Sequence, residues 1–254
     1  MALNHSKRIG RFTSSQISRL CTSLKSGKPT SAFMTYVEEK ADEILMCRIS
    51  DVTVNTQAMR WGKLMEKVLI SDELNYKEEF GVKVASEEPI LHSDLFYYSG
   101  TPDIEHIGLK SIEVKCYYPK KFTALSRCLM KQDTELLKNS FPSEYWQTIS
   151  NGILCNVDTV ELICFMPYES FVLNMVEEIN EGDFLEARGF DLTDYYFLEW
   201  RDFNISNVPS LPDHSKLKNI NRFEFTIPQE DKEFLLERVK LAGEELQKLT
   251  EWIL

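Results

Sequence analysis

The chain has 254 residues, of which 43% are hydrophobic and 27% charged, proportions that are ordinary for a globular protein and exclude collagen-like and low-complexity classes. The formal net charge of −11 by itself argues against a polyanionic partner. No apolar run approaches the roughly 20 residues needed to cross a bilayer, and the first eight residues lack the apolar core of a signal peptide. We therefore expect a cytoplasmic protein with a single core.

Hydrophobic periodicity predicts mainly helices in the first 75 residues. The hydroxyl-rich residues 13–15 predict the N-cap of a first helix, whose apolar stripe is Ile17, Leu20 and Leu24. Two further helices are predicted over residues 31–47 and 56–74. In the last of these, Trp61, Met65 and Leu69 recur every four residues and form a buried stripe. We expect Trp61 and the later Trp146 to be packed in the core, with stacking on nucleobases as the alternative.

The middle of the chain has the pattern of a sheet. Residues 89–98 and 111–116 are predicted strands separated by a turn at 99–102, and a helix follows over 143–155. The continuous apolar run 160–165 has the length of a central strand that is buried on both faces.

The pattern loosens after Pro167. Residues 174–218 mix acidic, aromatic and proline residues, and we interpret them as an insertion or subdomain of a single domain that spans residues 1–254. Residues 229–254 have an a/d stripe of nearly three heptads and are predicted to form a long helix. We expect this helix to pack on the sheet of its own domain, with an oligomer contact as the alternative.

Charge is segregated along the chain in spite of the acidic total. Residues 1–30 carry six Lys or Arg and no carboxylate, residues 110–138 carry seven against three, and residues 174–200 carry one against eight. A phosphate backbone responds to the local field within about 10 Å, so the two basic stretches are compatible with DNA binding. The alternative is that both are solvated helix faces.

The six cysteines and four histidines do not have the spacing of a metal site. The cysteines include no C-x-x-C pair, and the histidines include no i,i+4 pair. We therefore expect free thiols and neither a zinc nor an iron–sulfur centre.

The strongest chemical signal lies in residues 99–116, which read Ser-Gly-Thr-Pro-Asp, nine further residues, and Glu-Val-Lys-Cys. Glu113 and Lys115 project from one face of a strand, and Asp103 lies at a turn that leads into a neighbouring strand. Two carboxylates and the Val114 carbonyl make a hard-oxygen site suited to Mg²⁺. Lys115 would orient or deprotonate a water and stabilise charge on a phosphate. The alternative is a turn aspartate beside a surface Glu–Lys ion pair.

Three further features favour the metal-site interpretation. Glu66 lies one turn after Gly62 on the preceding helix, where it could be a metal ligand or a base that positions water. Gln147 follows Tyr-Trp on the later helix, and its amide could bind a phosphate or the attacking water. Arg8 precedes the hydroxyl-rich residues 13–15, a combination that suits a terminal phosphate.

Taken in this order, the motifs resemble those of the phage lambda exonuclease family, viral recombination nucleases of the PD-(D/E)XK superfamily. The resemblance covers about residues 8–170 and the final helix. Its motifs are Arg8 with Phe12-Thr-Ser-Ser15, Trp61-Gly-Lys-x-x-Glu66, Gly100-Thr-Pro-Asp103, Ile112-Glu-Val-Lys-Cys116 and Tyr145-Trp-Gln147. The chain departs from the family pattern at Ile149, where a second glutamine is common, and at Lys121, where arginine is more usual.

The resemblance implies an α/β (α+β) fold with a PD-(D/E)XK restriction-endonuclease-like core, in which a central mixed sheet is flanked by helices. It implies that Asp103, Glu113 and the Val114 carbonyl bind Mg²⁺, with Glu66 assisting. By the same resemblance, Lys115 and Gln147 would be catalytic. The residues implied to bind a DNA 5′-phosphate are Arg8, Ser15, Thr101 and Lys121.

The function implied is a Mg²⁺-dependent deoxyribonuclease, for which Mn²⁺ would substitute, that digests one strand of linear duplex DNA from a 5′-phosphorylated end. The resemblance further implies a homotrimer, a single-strand annealing protein as partner, and a host cytoplasm if the chain is phage-encoded. The alternatives are a site- or structure-specific endonuclease on the same core and an inactive nucleic-acid-binding module.

Overall fold

The structure is a computed structural model that describes residues 8–22, 28–49, 56–74, 81–84 and 88–251. In this part of the chain, the strands are β1 (Phe12–Thr13), β2 (Val82–Val84), β3 (Ile90–Leu91), β4 (Tyr98–Gly100), β5 (Ile104–His106), β6 (Lys110–Cys116), β7 (Thr159–Phe165) and β8 (Ile220–Thr226). The helices are α1 (Ser31–Met46), α2 (Gln57–Val68), α3 (Pro119–Leu129), α4 (Thr134–Ser140), α5 (Pro142–Leu154), α6 (Glu169–Glu181) and α7 (Gln229–Thr250).

A mixed five-stranded sheet forms the centre, in the order β2-β5-β6-β7-β8. Strands β6 and β7 are parallel, and the other pairs are antiparallel. The register places Glu113 beside Leu162 and Lys115 beside Cys164. A second, three-stranded sheet in the order β1-β4-β3 brings the N-terminal segment to the same end of the molecule as Gly100.

The sheet separates two hydrophobic clusters, and alternation along the strands explains why. Leu162 and Cys164 of β7 pack in a cluster with residues of α1, α3, α5 and α7, whereas Ile163 and Phe165 pack in a cluster with α2 and α6. The prediction that 160–165 is buried on both faces is therefore confirmed. Trp61 and Trp146 are both buried in these clusters, as expected for core residues.

Four predicted helices are present with small changes of boundary. Helices α1, α5 and α7 lie within two residues of their predicted starts, and α2 begins at Gln57 but changes into a π-helical turn over Leu69–Glu73. Thr30 and Thr56 each accept a hydrogen bond from the backbone of the first turn, which is the capping that threonine favours at this position.

The prediction of an ordinary helix after residues 13–15 was wrong. The segment Ser14–Arg19 is a short 3₁₀ helix, and the side chain of its N-cap residue Thr13 makes no capping hydrogen bond. The Thr13 N–H instead donates to the Tyr36 hydroxyl, and Thr13 itself pairs with Ser99 in the small sheet. These tertiary contacts take the place of a local cap. Leu24 of the predicted stripe lies outside the described residues.

The strand predicted over 89–98 was also wrong in its extent. Within this range only Ile90–Leu91 and the last residue, Tyr98, belong to strands, because Nδ1 of His92 accepts hydrogen bonds from the backbone of Asp94 and Leu95 and closes a turn. Strand β4 then continues through Ser99 and Gly100, so the predicted turn at 99–102 begins two residues later than expected.

Two helices that the sequence analysis did not identify, α3 and α4, connect β6 to α5. Pro119 at the first position of α3 and the Asp133 cap of α4 are standard start signals. The final helix packs chiefly against α1 rather than on the sheet, a correction to the expected packing. Within the described part of the chain, no helix has both the length and the apolar character needed to cross a membrane.

Candidate active site

Asp103 is held against strand β6 by a backbone hydrogen bond. The ladder between β5 and β6 ends at the pair Ile104–Ile112. Just beyond that pair, the Val114 N–H donates to Oδ2 of Asp103 at 2.6 Å. The carboxylate thus takes the place of a backbone carbonyl where the neighbouring strand has ended, and this fixes its position beside Glu113.

Glu113 and Lys115 project together from one face of β6 and meet Gln147 of α5. The Lys115 Nζ donates to Oε1 of Glu113 at 2.6 Å and to Oε1 of Gln147 at 3.0 Å, and the Gln147 amide donates to the same Glu113 oxygen. The Glu113 side chain is only 2% exposed. The structure therefore excludes the alternative of a surface ion pair.

Glu66 reaches this cluster from α2. Its carboxyl group hydrogen-bonds that of Asp103, which requires a proton between them. Burial raises the pKa of Glu66, and the nearby Glu113 charge adds to the rise. Burial and the charge of Glu66 raise the pKa of Asp103 well above its usual range. Burial and the Asp103 charge raise the pKa of Glu113 to about 7, against the opposing effect of Lys115.

Lys115 is the counter-charge of this cluster. Burial lowers the pKa of its ammonium group, but the carboxylates of Glu113, Asp103 and Glu66 together raise it above its ordinary value. Lys115 is accordingly a charged hydrogen-bond donor. This favours its predicted role in orienting groups and stabilising charge over the predicted alternative of deprotonating a water.

The donor set fits a hard divalent cation. Three carboxyl groups face one ammonium, and two of them share a proton that a cation would replace. Among the described residues, no three Asp, Glu, His or Cys side chains form a ready-made metal cage. Mg²⁺ does not need such a cage, since this ion is usually held by one or two carboxylates with water and substrate phosphate completing its shell. Asp103, Glu113 and the Val114 carbonyl would hold it.

The residues predicted to bind a 5′-phosphate are only partly brought together. The Arg8 guanidinium donates to the Thr101 hydroxyl at 3.2 Å, and Thr101 is two residues from Asp103. Ser15 lies on the exposed side of the 3₁₀ helix, with its hydroxyl 3.3 Å from that of Thr13. Thus Arg8 and Thr101 join the N-terminal segment to the carboxylate cluster.

Lys121, the fourth predicted phosphate ligand, is paired within the protein. Its Nζ lies 2.6 Å from Oε1 of Glu144, and it sits 3.9 Å from the centre of the Tyr117 ring. The Tyr117 hydroxyl also donates to Oε1 of Glu144 at 2.7 Å. Lys121 would have to leave a buried carboxylate to reach a phosphate.

Much of the basic stretch 110–138 is neutralised by the fold. Lys110 pairs with Glu161 and Glu224, and Lys138 pairs with Asp231. With Lys115 and Lys121 paired as well, four of its seven cations have carboxylate partners in the described part of the chain. The local charge that the sequence analysis associated with DNA is therefore smaller in the structure than in the sequence.

Asn151 is a site residue that the sequence analysis missed. Its amide donates to Oε2 of Glu113 at 2.7 Å, and the side chain is fully buried. It lies four residues after Gln147, so both amides project from the same face of α5. That spacing of four residues is the signal in the sequence. Ile149, the position where a second glutamine is common in the family, instead points into the core.

The sequence comparisons identify one family. A family model described as a YqaJ-like viral recombinase domain matches residues 5–155, which is more than half of the chain. The comparison with curated protein sequences gives no significant match.

The fold is similar to that of solved exonuclease structures. An alkaline exonuclease (LHK-Exo) from Laribacter hongkongensis matches with a TM-score of 0.59 and 13% identity, covering 98% of this chain and 94% of that one. The same protein in complex with dAMP gives a TM-score of 0.60 and 14% identity over the same shares. A phage related exonuclease from Haemophilus somnus 129PT gives 0.58 and 15% identity, covering 96% of each chain. The expected α/β fold, with a central mixed sheet flanked by helices, is confirmed.

Proposed function

The chain belongs to the YqaJ-like viral recombinase family, and from that premise we propose that it is a divalent-metal-dependent exonuclease that digests one strand of linear duplex DNA in the 5′-to-3′ direction. The observation that carries the proposal is the buried cluster of Asp103, Glu113 and Lys115, with Glu66 and Gln147 hydrogen-bonded into it. Mg²⁺ is the proposed ion, because all the ligand atoms are hard oxygens. Mn²⁺ would substitute.

The side chains divide the work of phosphodiester hydrolysis. A cation bound at Asp103 and Glu113 would polarise the scissile phosphate and lower the pKa of a water. Lys115 donates to a phosphate oxygen and stabilises the charge that develops there. Gln147 positions Lys115 and Glu113 through its two hydrogen bonds, and Glu66 hydrogen-bonds Asp103 and so helps to position it.

A test uses linear duplex DNA with one 5′-phosphate and separately labelled ends, beside a closed circular duplex, in Mg²⁺ and in EDTA. We expect metal-dependent loss of nucleotides from the phosphorylated end and an intact circle. A nicked or linearised circle would favour the endonuclease alternative. The absence of any cleavage would favour a module that only binds nucleic acid.

The catalytic roles are tested by Asp103→Asn and Lys115→Ala. Each should lower the cleavage rate by roughly 100-fold or more, because each removes a group that acts on developing charge. Lys120→Ala, which removes an exposed charge from the adjacent helix, is the matched control and should keep the wild-type rate. Full activity of either site variant would contradict the assignment.

We propose that Arg8 and Thr101 recognise the 5′-phosphate, since the Arg8 guanidinium donates to the Thr101 hydroxyl two residues from Asp103, and a guanidinium can bind a phosphate through two hydrogen bonds. Arg8→Ala should reduce the preference for 5′-phosphorylated over 5′-hydroxyl ends by about tenfold. Arg48→Ala, an exposed arginine of equal charge, should leave the ratio unchanged. An unchanged ratio in Arg8→Ala would place phosphate recognition elsewhere.

The proposed assembly is a homotrimer that encloses DNA and delivers the 3′ overhang to a single-strand annealing protein. The total charge of −11 is compatible with a ring whose outer surface is acidic and whose DNA channel is basic. Light scattering coupled to size exclusion should give the mass of three 29.6 kDa chains. A monomer at micromolar concentration would contradict the proposed assembly.

A further inference from the structure

An open groove lies beside the catalytic cluster and takes no part in the chemistry described above. It has a volume of about 560 Å³ and is lined by Gln57, Tyr118, Tyr196, Phe197, Asp202 and Asn207. This volume is in the range of sites that bind small organic molecules. Its walls come from α2, from the start of α3, and from the acidic segment after α6.

Two elements of the fold connect the groove to the active site. Tyr118 lies three residues beyond Lys115, so at most about 10 Å of chain separates them. Gln57 begins the helix that carries Glu66, and their separation of nine positions corresponds to about 13 Å along the helix axis. The groove therefore lies within the length of a few nucleotides of the catalytic cluster.

Two tyrosine rings are presented to solvent at this groove. Tyr118 is 43% exposed and Tyr196 is 48% exposed. Tyr196 is held from behind by an edge contact with the buried Phe197, with ring centres 5.9 Å apart. Its neighbour Tyr195 donates to the backbone carbonyl of Arg60 and so fastens the segment to α2. The exposed Tyr196 ring is therefore supported by packed neighbours.

The other residues that line the groove favour the binding of a nucleobase over the binding of a phosphate. Gln57, Asn207 and Asp202 offer amide and carboxylate groups, and among the described residues the lining includes no Lys or Arg. The Asp202 carboxylate also contacts the exposed Arg201 at 3.4 Å. A phosphate would be repelled by Asp202, whereas the amino and imino edges of a nucleobase can donate to it. Aromatic rings bind the faces of bases without regard to sequence.

We propose that this groove is a nucleobase-binding subsite, in which Tyr118 and Tyr196 stack on an unpaired base near the catalytic cluster and the polar groups contact its edge. The inference rests on the proposed function and deepens it. It also gives the acidic segment a use in DNA binding that does not involve the phosphate backbone.

The experiment places 2-aminopurine at successive positions of a single-stranded overhang on a duplex, in EDTA, and follows its fluorescence, which stacking quenches. Wild-type protein should quench one or two adjacent positions. Tyr196→Phe should retain the quenching, and Tyr196→Ala should lose it. Trp200→Ala removes an exposed aromatic ring that does not line the groove and is the matched control.

Affinity gives a second readout. Tyr196→Ala should weaken overhang binding by roughly 5- to 150-fold, the range expected for one stacked base. An abasic nucleotide at the quenched position should cause the same loss, and the two changes together should not add. Equal quenching at every position, or fully additive losses, would overturn the proposal.

Two further comparisons complete the test. One distinguishes a base in the bound strand from a released nucleotide, and the other distinguishes failure of the subsite from failure of the proposed function. Tyr196-dependent quenching of a free 2-aminopurine deoxynucleotide, without quenching in the overhang, would assign the subsite to the released nucleotide instead of the strand. If the wild-type protein cleaves DNA but Tyr196→Ala quenches 2-aminopurine as strongly as the wild type, the subsite is overturned and the proposed function is not. Wild-type protein that neither binds nor cleaves DNA would overturn both proposals.

Discussion

Glu113 is the most heavily constrained side chain of the site. One carboxylate oxygen accepts from Lys115 and Gln147, and the other accepts from Asn151. Each donor favours the ionised form, while burial and Asp103 oppose it, which leaves the pKa at about 7. The orientation of this carboxylate is therefore set by three donors from two different elements.

Asn151→Ala should lower the cleavage rate by about 10- to 100-fold, the usual effect of removing a group that orients a metal-binding carboxylate. Loss of its amide leaves Oε2 of Glu113 without its buried donor. Rates should be measured well below the melting temperature, with the exposed Asn139→Ala as control. A wild-type rate in the Asn151 variant would show that Lys115 and Gln147 suffice to orient Glu113.

At the scale of elements, the site depends on how closely α5 approaches strand β4 and the Ser14–Arg19 helix. The Ser150 hydroxyl donates to that of Ser14 at 2.8 Å and lies 2.7 Å from the Tyr98 hydroxyl. Gly100 occupies the centre of this contact. A Cβ added there would lie 1.9 Å from the Ser14 hydroxyl and 2.8 Å from Oδ1 of Asn151.

Gly100→Ala and Gly62→Ala form a matched pair that tests this contact. Gly100→Ala should lower the free energy of unfolding by about 1–3 kcal/mol, because well-packed neighbours must move. A Cβ at Gly62 meets only the Cys116 carbonyl oxygen at 3.5 Å, so Gly62→Ala should be neutral or stabilise the helix by up to about 1 kcal/mol. Urea denaturation measures both. Equal stabilities would contradict the close approach at Gly100.

At the scale of the molecule, the acidic cluster lies on the sheet that separates the two hydrophobic clusters. Burial there raises the pKa of its carboxyl groups. The outer cations are instead paired with carboxylates, as Lys110 is with the buried Glu161 and the exposed Glu224. The molecule thus keeps excess negative charge in its interior, where a divalent cation would relieve it.

The metal-free protein should lose stability as the pH rises from about 5 to 7. The pKa of Glu113 is about 7 in the folded state against 4.5 ordinarily, and those of Glu66 and Asp103 are also raised. The folded state therefore binds more protons than the unfolded state in this window, so the free energy of unfolding falls with increasing pH. Thermal denaturation in EDTA should show a shallower decline for Glu113→Gln, whose side chain stays neutral.

The control for that measurement is Glu177→Gln, an exposed glutamate of α6, which should follow the wild-type curve. Addition of Mg²⁺ should flatten the wild-type decline, since the ion binds the ionised carboxylates of the folded state. Parallel curves for wild type and Glu113→Gln would mean that the cluster does not titrate in this range.

The sequence by itself determined the family, the α/β fold with a central mixed sheet, and most of the residues that meet in the site, although not Asn151. The family and the fold are confirmed, whereas the roles of Asp103, Glu113, Lys115 and Gln147 stay predictions. The strand spacing of Glu113 and Lys115 and the helix stripe at Trp61 were readable because both depend only on local periodicity. The insertion over 174–218 likewise stays a prediction.

Only the tertiary structure decided which charges are paired and which donors reach the carboxylates. The partners of Lys121 and Glu113 come from α5, which is distant in sequence, and the Thr13 segment forms a 3₁₀ helix and a strand because Tyr36 and Ser99 satisfy its backbone. Local propensity has no information about such partners. The buried pKa values follow from the same cause, since desolvation depends on what packs around a group after the chain has folded.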